Sequence, residues 1–253
     1  MRFSGFGVAA AVAAVLVTGA CDSGGSGGSA HSSAPAASRS AAAPSDNGVA
    51  AKDPKAILAA AQQALTSSSS VRYKGWTVES GHKFTLDLQL TPAGTMGSVT
   101  VPFDGKPATA QIIVLGKTTY MKGRQFWETA ITSTNGAQAG KIAANLFGDR
   151  WVKMPSSQSL AQAAPTSLKE LSSVFDTSDT ITKKERKTIG GRPTIGIADS
   201  SSIMYVATTG KPQPLLIVPT GAVDQGQLGF SDYDVPVTIT APTDSIDLAK
   251  LHP

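Results

Sequence analysis

Few side chains in this sequence are of the types that perform catalysis. The three histidines are His31, His82 and His252, and the single cysteine is Cys21. A Ser-His-Asp triad would depend on His82, because His31 lies in a low-complexity segment and His252 lies beside the C-terminus. Outside that low-complexity segment, the sequence also has no Gly-x-Ser-x-Gly motif, which would place the nucleophilic serine of such a triad. The sequence therefore predicts a protein that is not an enzyme.

Metal and cofactor sites have little support either. No cluster of histidine and cysteine has metal-ligand spacing. Asp232 and Asp234 alternate along a predicted strand, and two interpretations stay open for them: solvated carboxylates at a strand end, or a calcium site. Gly190-Gly191 lies in a predicted hairpin and not between a strand and a helix, so it does not fit a phosphate loop. We expect no metal and no cofactor.

Cys21 is the residue whose surroundings indicate a specific reaction. An apolar run, Val8–Val17, follows Arg2, and the small residues Gly19 and Ala20 stand directly before the cysteine. A positive start, a short apolar core and small residues before a cleavage point are typical of a secretory signal peptide. The apolar core has about ten residues, whereas a membrane-spanning helix needs roughly 20.

The segment Gly19-Ala20-Cys21 resembles the lipobox of bacterial lipoproteins, with Thr18 where that family usually has Leu. The resemblance implies that the Cys21 thiol receives a diacylglyceryl group and that cleavage leaves Cys21 as the lipidated N-terminus. The alternative is an ordinary secretory signal with a chance cysteine. We expect the protein to be held on the outer face of the cell membrane by acyl chains, of which two suffice for stable anchoring.

The segment that follows the cysteine predicts a tether and not a folded element. Asp22–Ala51 consists largely of Gly, Ser, Ala and Pro, which cannot bury enough apolar surface to offset the entropy of ordering. We therefore divide the chain into a signal peptide at 1–20, a tether at 21–51 and one folded domain at 52–253. Removal of residues 1–20 leaves 21 basic and 18 acidic residues. The excess of basic over acidic residues is small and is spread along the chain, so we expect no nucleic-acid partner.

Alternating polarity predicts that most of the folded domain is β-sheet. Leu86, Leu88 and Leu90 alternate with polar residues, which is the pattern of a strand with one buried face. Short turns separate the strands and indicate antiparallel neighbours. The predicted strands are Val71–Glu79, Phe84–Leu90, Thr95–Val101, Thr109–Leu115, Thr118–Lys122, Trp151–Met154, Ile181–Ile189, Pro193–Ala198, Ser202–Ala207, Leu215–Val218, Gln227–Tyr233 and Val235–Thr240.

Helical signals occur at the start and in the middle of the domain. Asp53-Pro54 is an N-cap followed by proline at the first helical position, and an apolar stripe at helical spacing follows it. A second helix is predicted over Asn135–Phe147, and a helical pair over Ser157–Phe175 divided at Pro165. Ser167 with Glu170 fits a capping box. The order of elements predicts an α+β fold with helices on one face of an antiparallel sheet.

Four segments of the domain resemble the LolA-like lipoproteins, in particular the LppX/LprAFG group of actinobacteria. They are TYMKGRQFWETA (119–130), GDRWVKMP (148–155), YVATTGKPQPLLIV (205–218) and FSDYDVPVTITAP (230–242). The resemblance implies a strongly curved antiparallel sheet, a half-barrel, with helices packed on its concave face. It also implies an apolar cavity between sheet and helices, in which better known relatives carry acyl chains or glycolipids.

Given that resemblance, nine apolar residues are candidates for the cavity and its lid. One group surrounds the second predicted helix and would form a lid over the cavity mouth; the other would lie on the sheet. The alternative for the aromatic members is ordinary packing between sheet and helix. The lid candidates are Trp127, Ile142, Leu146, Phe147 and Trp151, and the sheet candidates are Leu86, Leu88, Ile113 and Leu115.

Lys183–Lys187 is the densest run of charge. One interpretation is a solvated edge strand that is defended against aggregation. The other is a basic rim that attracts anionic lipid headgroups.

These observations predict an anchored, extracytoplasmic lipoprotein that binds or carries a lipid, a glycolipid or another lipophile without transforming it. Two alternatives stay open. One is a sensory or interaction module that binds a protein partner of the cell envelope. The other is a fold whose cavity is filled by its own side chains.

Overall fold

The computed structural model describes residues 45–79, 81–154, 165–221 and 225–250. Cys21, His31 and His252 lie outside these ranges, as does most of the first half of the helical pair predicted over Ser157–Phe175. The four helices are α1 (Pro54–Thr66), α2 (Arg124–Asn135), α3 (Ala137–Phe147) and α4 (Leu168–Ser173).

Twelve strands form one open, curved sheet. Its spatial order is β12-β6-β5-β4-β3-β2-β1-β11-β10-β9-β8-β7, and every neighbouring pair is antiparallel except β12 with β6. The strands are β1 (Val71–Glu79), β2 (His82–Thr91), β3 (Gly94–Phe103), β4 (Lys106–Leu115), β5 (Thr118–Lys122), β6 (Trp151–Met154), β7 (Thr182–Ile189), β8 (Arg192–Ala198), β9 (Ser202–Ala207), β10 (Pro214–Pro219), β11 (Gly226–Ser231) and β12 (Ser245–Asp247).

The pairing register separates the two faces of the sheet, because side chains directly opposite each other in an antiparallel pair lie on the same face. One row of such partners crosses half of the sheet, and its larger members are buried. It runs from β1 through β2, β3, β4 and β5 to β6 as Tyr73, Leu88, Gly97, Ile112, Met121 and Val152. We call the face that carries this row the inner face, and the opposite one the outer face.

The apolar cluster that contains the larger members of this row also includes large buried side chains of α1, α2 and α4. α1 covers the inner face over β8 and β10, and α2 covers it over β3 and β4. The helices therefore lie on the same side of the curved sheet, as predicted.

Local capping is visible at α1 and α4. The Asp53 side chain accepts a hydrogen bond from the Ala56 backbone N–H at 3.0 Å, and Pro54 follows at the first helical position. Ser167 caps α4 by accepting from the Glu170 N–H. The Glu170 carboxylate accepts in return from the N–H of Thr166 at 2.8 Å, so the predicted capping box is present with its return bond one residue earlier.

Helix α2 was not predicted, and the helix predicted over Asn135–Phe147 begins at Ala137. Asn135 is the last residue of α2, and Gly136, with φ of 85°, separates the two helices. α2 contains four threonine or serine residues and two adjacent aromatics, which have modest helix propensity, and Gly123 gives it no side-chain cap. Packing on the sheet therefore stabilises it more than its local sequence does.

The C-terminal strands also differ from the prediction. The strand predicted over Gln227–Tyr233 ends at Ser231, because Asp232 has a φ of 50°. The strand predicted over Val235–Thr240 has no regular secondary structure, and it contains Pro236, which cannot donate to a strand ladder. β12, which pairs in parallel with β6, was not predicted.

The packed structure begins before the predicted boundary at 52. Val49 is buried in the apolar cluster. Asn47 donates hydrogen bonds to the carbonyl oxygens of Ala207 and Gly210 at 3.1 and 2.9 Å. Residues 46–51, assigned from the sequence to the tether, thus pack on the β9–β10 connection.

Candidate functional site

The candidate site is the inner face beneath α2 and α3. β4 contributes the small residues Ala108 and Ala110 to this part of the face, each about 1% exposed. α2 places Phe126 and Trp127 against them, in the same apolar cluster. Small residues on a strand under large aromatic ones on a helix allow the helix to approach the sheet closely.

A row of aromatic rings runs through this region. The Phe103 and Phe126 ring centroids are 5.5 Å apart, and those of Phe126 and Trp127 are 5.2 Å apart, both edge to face. The Trp127 and Phe147 centroids are 5.1 Å apart, which joins α2 to the end of α3. These separations are those of favourable aromatic pairs.

The indole N–H of Trp127 is buried and has no hydrogen-bond partner among the described residues. The residue is 6% exposed. Buried polar groups in proteins are nearly always hydrogen-bonded, so this donor is an exception within an apolar environment.

Helix α3 contacts α2 through its small residues and through Phe147, and turns Ile142 and Leu146 to solvent. Gly140, Ala143 and Ala144 are buried. Ile142 and Leu146, one helical turn apart, are 59% and 51% exposed. Burial of small residues leaves an exposed apolar pair on the outside of the α2–α3 hairpin.

The structure divides the nine predicted site residues into three groups. Leu86 and Leu88 lie on the inner face, since they pair with Gly75 and Tyr73 of β1, and the Trp127–Phe147 contact lies on the same side. Ile142 and Leu146 point to solvent. The third group, on the outer face, is Ile113, Leu115 and Trp151.

From the sequence, all nine residues are candidates for one cavity or its lid, and the sheet places three of them on its outer face. Ile113 pairs with Met96 and Tyr120, one residue out of phase with the inner row at Ile112. Trp151 precedes the inward-facing Val152 and has the Lys122 ammonium 5.9 Å from its ring centroid. Side chains on opposite faces of a sheet cannot line the same cavity, so Ile113, Leu115 and Trp151 are separated from the others.

Charged groups concentrate on the outer face. Arg72 donates to Asp87 from Nε and Nη2 at 2.7 and 2.8 Å, and Lys74 lies 2.7 Å from the same carboxylate. The hydrogen bond from Arg72 is the main reason that the pKa of Asp87 falls to about 2. This network stabilises the middle of the sheet and engages both oxygens of the Asp87 carboxylate.

The two aspartates considered for calcium are both engaged by cations. Asp234 receives a hydrogen bond from Lys211 at 2.8 Å, which is the first cause of its lowered pKa, and another from the Ser69 N–H. Asp232 lies 3.5 Å from Arg72. Within the described ranges, no group of three or more His, Cys, Asp or Glu side chains is arranged to hold a metal ion.

The basic run Lys183–Lys187 lies on β7, the terminal strand of the sheet, and its residues are exposed. The pairing of β7 with β8 shifts between Lys183 and Arg186. Glu185 accepts from the Tyr205 hydroxyl at 2.9 Å, and its hydrogen bond with Lys187 is the main cause of a pKa of about 2. Charge and an irregular register are both features of an edge strand that resists pairing with another chain.

Two surface pockets are lined by described residues, and Trp127 lines neither of them. One, of about 440 Å³, is at the ends of β8, β10 and β11, and includes Arg192 and Tyr233. The other, of about 380 Å³, lies between the β3–β4 hairpin and the polar side of α2. Arg192 donates to Gln213 and to two backbone carbonyls, so it holds the β9–β10 connection.

No helix in the described part of the chain is both long and apolar enough to cross a membrane.

Comparison with known proteins identifies the fold. No protein-family model matches the chain, and no curated protein matches it either. The crystal structure of LprF from Mycobacterium bovis superimposes with a TM-score of 0.53 at 14% identity, over 76% of this chain and 97% of that one. The chain has the LprF fold.

Two further structures match less closely. LppX from Mycobacterium tuberculosis, described as a lipoprotein, has a TM-score of 0.47 at 15% identity, over 74% of this chain and 99% of that one. A LolA superfamily protein from Nitrosomonas europaea has a TM-score of 0.27 at 9% identity, over 74% and 95%. The fold that the sequence predicted from its resemblance to the LppX/LprAFG group is confirmed by the LprF match.

Proposed function

We propose that this protein is an exported lipoprotein that binds an acyl lipid between the inner face of its sheet and the α2–α3 hairpin. Cys21 would carry the membrane anchor, which keeps the domain beside a source of lipid. The inner face supplies the apolar surroundings, and each acyl methylene that leaves water there contributes about 0.8 kcal/mol.

The observation that carries this proposal is the exposed pair Ile142 and Leu146 on the hairpin that covers the apolar inner face. Among described residues, Ile142, Leu146 and Val235 are the large apolar side chains most open to water. An apolar pair beside Lys141, on a helix that rests on its neighbour through small residues, suits contact with a lipid surface.

The hairpin is also the element whose movement would open the site. α2 buries two large side chains, Phe126 and Trp127, whereas the fully buried residues of α3 are small and its Phe147 is half-buried. Gly148, with φ of 52°, ends α3, and Gly136 joins the helices. Glycine at the joints and the small size of the residues that α3 buries make α3 easier to displace than α1, which buries Ile57, Leu58 and Leu65.

The test is lipid uptake by a variant with a charge in the exposed pair. We expect Leu146→Asp to slow transfer of a fluorescent diacyl lipid from vesicles into the protein by about tenfold or more, because a carboxylate is costly at a lipid surface. Its midpoint of urea unfolding should match that of the wild type, since Leu146 is half exposed. Asn145→Asp is the matched control, because it adds the same charge beside Leu146 without removing an apolar group.

Native mass spectrometry of protein purified from its own membrane completes the test. Bound lipid and slowed transfer in Leu146→Asp alone support the proposal. An absence of bound lipid, together with no uptake of the probe by the folded wild type, would contradict it and favour the interaction module.

Anchoring is tested separately at Cys21. We expect Cys21→Ser to abolish incorporation of radiolabelled palmitate and to leave the signal peptide uncleaved, because the thiol is the acyl acceptor. Cys21→Ala should behave identically, whereas Ser23→Ala should change nothing. Unchanged labelling in Cys21→Ser would contradict the lipoprotein assignment and leave an ordinary secretory signal.

A further inference from the structure

We propose that the indole N–H of Trp127 donates a hydrogen bond to an ester carbonyl of the bound lipid. This inference rests on the proposed lipid-binding function and deepens it, since it names the chemical class of ligand as an acyl ester. Trp127 would then select between lipids of equal chain length according to whether they carry a carbonyl group.

The first argument is the missing partner. Trp127 is 6% exposed and its Nε1 is enclosed, yet no group of the described residues accepts its proton. A buried donor without an acceptor costs roughly as much as a lost hydrogen bond, so its retention in an apolar position requires a reason. An acceptor atom on a bound ligand would supply that reason directly, because it would satisfy the indole N–H when the site is occupied.

The other tryptophans show that this arrangement is particular to one position. Trp76 and Trp151 are only partly buried, and each has a lysine ammonium over its ring, at 4.7 and 5.9 Å. Of the described side chains, Gln89 also has an enclosed nitrogen without a partner. Gln89 is paired with Arg72 and Met96 on the outer face, so it does not belong to the same interior.

The second argument is the chemistry around the indole. Phe126 and Phe147 contact its ring, and none of the described residues that are buried carries a charged side chain. A free carboxylate would have no cation to pair with in this interior, and burial of an unpaired charge is strongly unfavourable. A neutral carbonyl oxygen is a good acceptor whose burial costs far less, which favours an ester over a free fatty acid.

The third argument is position. Trp127 is on α2, within the hairpin that we propose to move, and its ring is buried in the apolar cluster and touches Phe147 at the end of α3. Displacement of the hairpin would uncover Nε1 at the moment when acyl chains enter over Ala108 and Ala110. The donor is thus placed at the entrance to the inner face and not deep beneath α1.

The experiment compares two lipids that differ only in the carbonyl groups. The full chain, purified in dodecyl maltoside, is titrated with dipalmitoylglycerol and with the matched diether dihexadecylglycerol. We expect the diester to bind more tightly by about two- to tenfold, the range of one net hydrogen bond. In the NMR spectrum, the indole proton of Trp127 should move downfield with the diester, and those of Trp76 and Trp151 should not.

The deciding variant replaces Trp127 with β-(3-benzothienyl)alanine, which keeps the bicyclic ring and has sulfur in place of N–H. It should bind the diester as weakly as the diether and leave diether binding unchanged. The same replacement at Trp151 is the matched control and should preserve the preference. Trp127→Phe serves as a second variant without the N–H donor.

The outcomes separate this inference from the proposed function. If neither lipid binds to the folded wild type, the proposed function fails. If both bind equally, or if the benzothienyl variant keeps the preference for the diester, lipid binding stands and the role of Trp127 is wrong. Tight binding of palmitate itself, retained in the variant, would also overturn the assignment to esters.

Discussion

At the scale of single residues, the Arg72–Asp87–Lys74 group on the outer face shows how one carboxylate joins neighbouring strands. Arg72 and Lys74 lie on β1 and Asp87 on β2, and the arginine makes two hydrogen bonds to the carboxylate. Paired donors of this kind are stronger than a single contact. The low pKa of Asp87, about 2, follows first from the hydrogen bond with Arg72.

We predict that Asp87→Asn lowers the free energy of unfolding by about 1 kcal/mol at pH 7, the upper range for partly exposed ion pairs. The folded pKa of Asp87 lies below its ordinary value of 3.8, so the stabilisation is complete above pH 4 and is lost as the pH falls towards 2. The difference between wild type and variant should shrink over that window in urea titrations.

The control for this prediction is Asp104→Asn at the β3–β4 turn. Asp104 is exposed, and Asn tolerates its φ of 49°. A loss at Asp104 equal to that at Asp87, or a difference at Asp87 that does not vary with pH, would contradict the ion-pair explanation.

At the scale of elements, the contact between α2 and α3 depends on one glycine. A Cβ atom built on Gly140 would lie 2.0 Å from Thr132 Oγ1 and 2.6 Å from the Glu128 carbonyl oxygen. The second of these atoms belongs to the backbone of α2, so the helices would have to separate. Close approach, and not helix propensity, therefore explains glycine in the middle of α3.

We predict that Gly140→Ala destabilises the protein by about 1–3 kcal/mol, although alanine is the better helix former, because overpacking forces the helices apart. Gln138→Ala, on the exposed side of the same helix, changes propensity without the clash and should be neutral or slightly stabilising. Urea unfolding followed by tryptophan fluorescence measures both. A stabilised Gly140→Ala variant would show that α3 is not held closely against α2.

The segment before α1 is a second element with an unexpected role. Asn47 donates to two carbonyl groups of the β9–β10 connection and accepts a hydrogen bond from the Val49 N–H. Val49 itself is 2% exposed. These contacts fix the start of α1 relative to strands about 160 residues later.

We predict that Val49→Ala lowers the free energy of unfolding by roughly 2 kcal/mol, from lost burial plus a small cavity. Val235→Ala is the matched control, since Val235 is 46% exposed and should change stability little. Thermal unfolding of fragments that begin at residues 45 and 52 gives a second measurement, and the shorter one should be less stable. Equal stability of the two fragments would show that residues 45–51 contribute nothing to the folded domain and belong to the tether.

At the scale of the whole molecule, the inner face is continuous from the α2–α3 side to the α1 side. Phe230 on β11 joins the halves, because its ring contacts Tyr73 of β1 at 5.1 Å and Phe175, just after α4, at 5.9 Å. The apolar cluster includes residues from both regions. A shared core of this kind favours a single cooperative unit.

We predict that the fragment beginning at residue 45 unfolds in one transition, with equal calorimetric and van't Hoff enthalpies. Phe230→Ala should lower the midpoint of that one transition, at a cost of about 3–5 kcal/mol. Leu146→Ala, on the exposed side of α3, should leave the midpoint nearly unchanged. Two transitions, of which Phe230→Ala moves only one, would indicate two separate units.

The sequence was sufficient to predict an element wherever neighbouring residues alone determine its structure. The N-cap and proline at Asp53-Pro54 predicted the start of α1, and alternation in Phe84–Leu90 predicted β2 with Leu88 buried. The acylation signal at Cys21 is likewise a matter of neighbouring residues, and it stays a prediction because Cys21 lies outside the described part of the chain.

The tertiary structure was needed wherever a choice depends on residues distant in the chain. In β4, Ile112, Ile113 and Val114 are consecutive and all buried, so polarity does not alternate, and only pairing with β3 and β5 shows that Ile113 faces outward. α2 has little local helix signal and forms because Phe126 and Trp127 pack on β4. A period of two predicts alternation without direction, and the direction is decided by which partners lie across the strand.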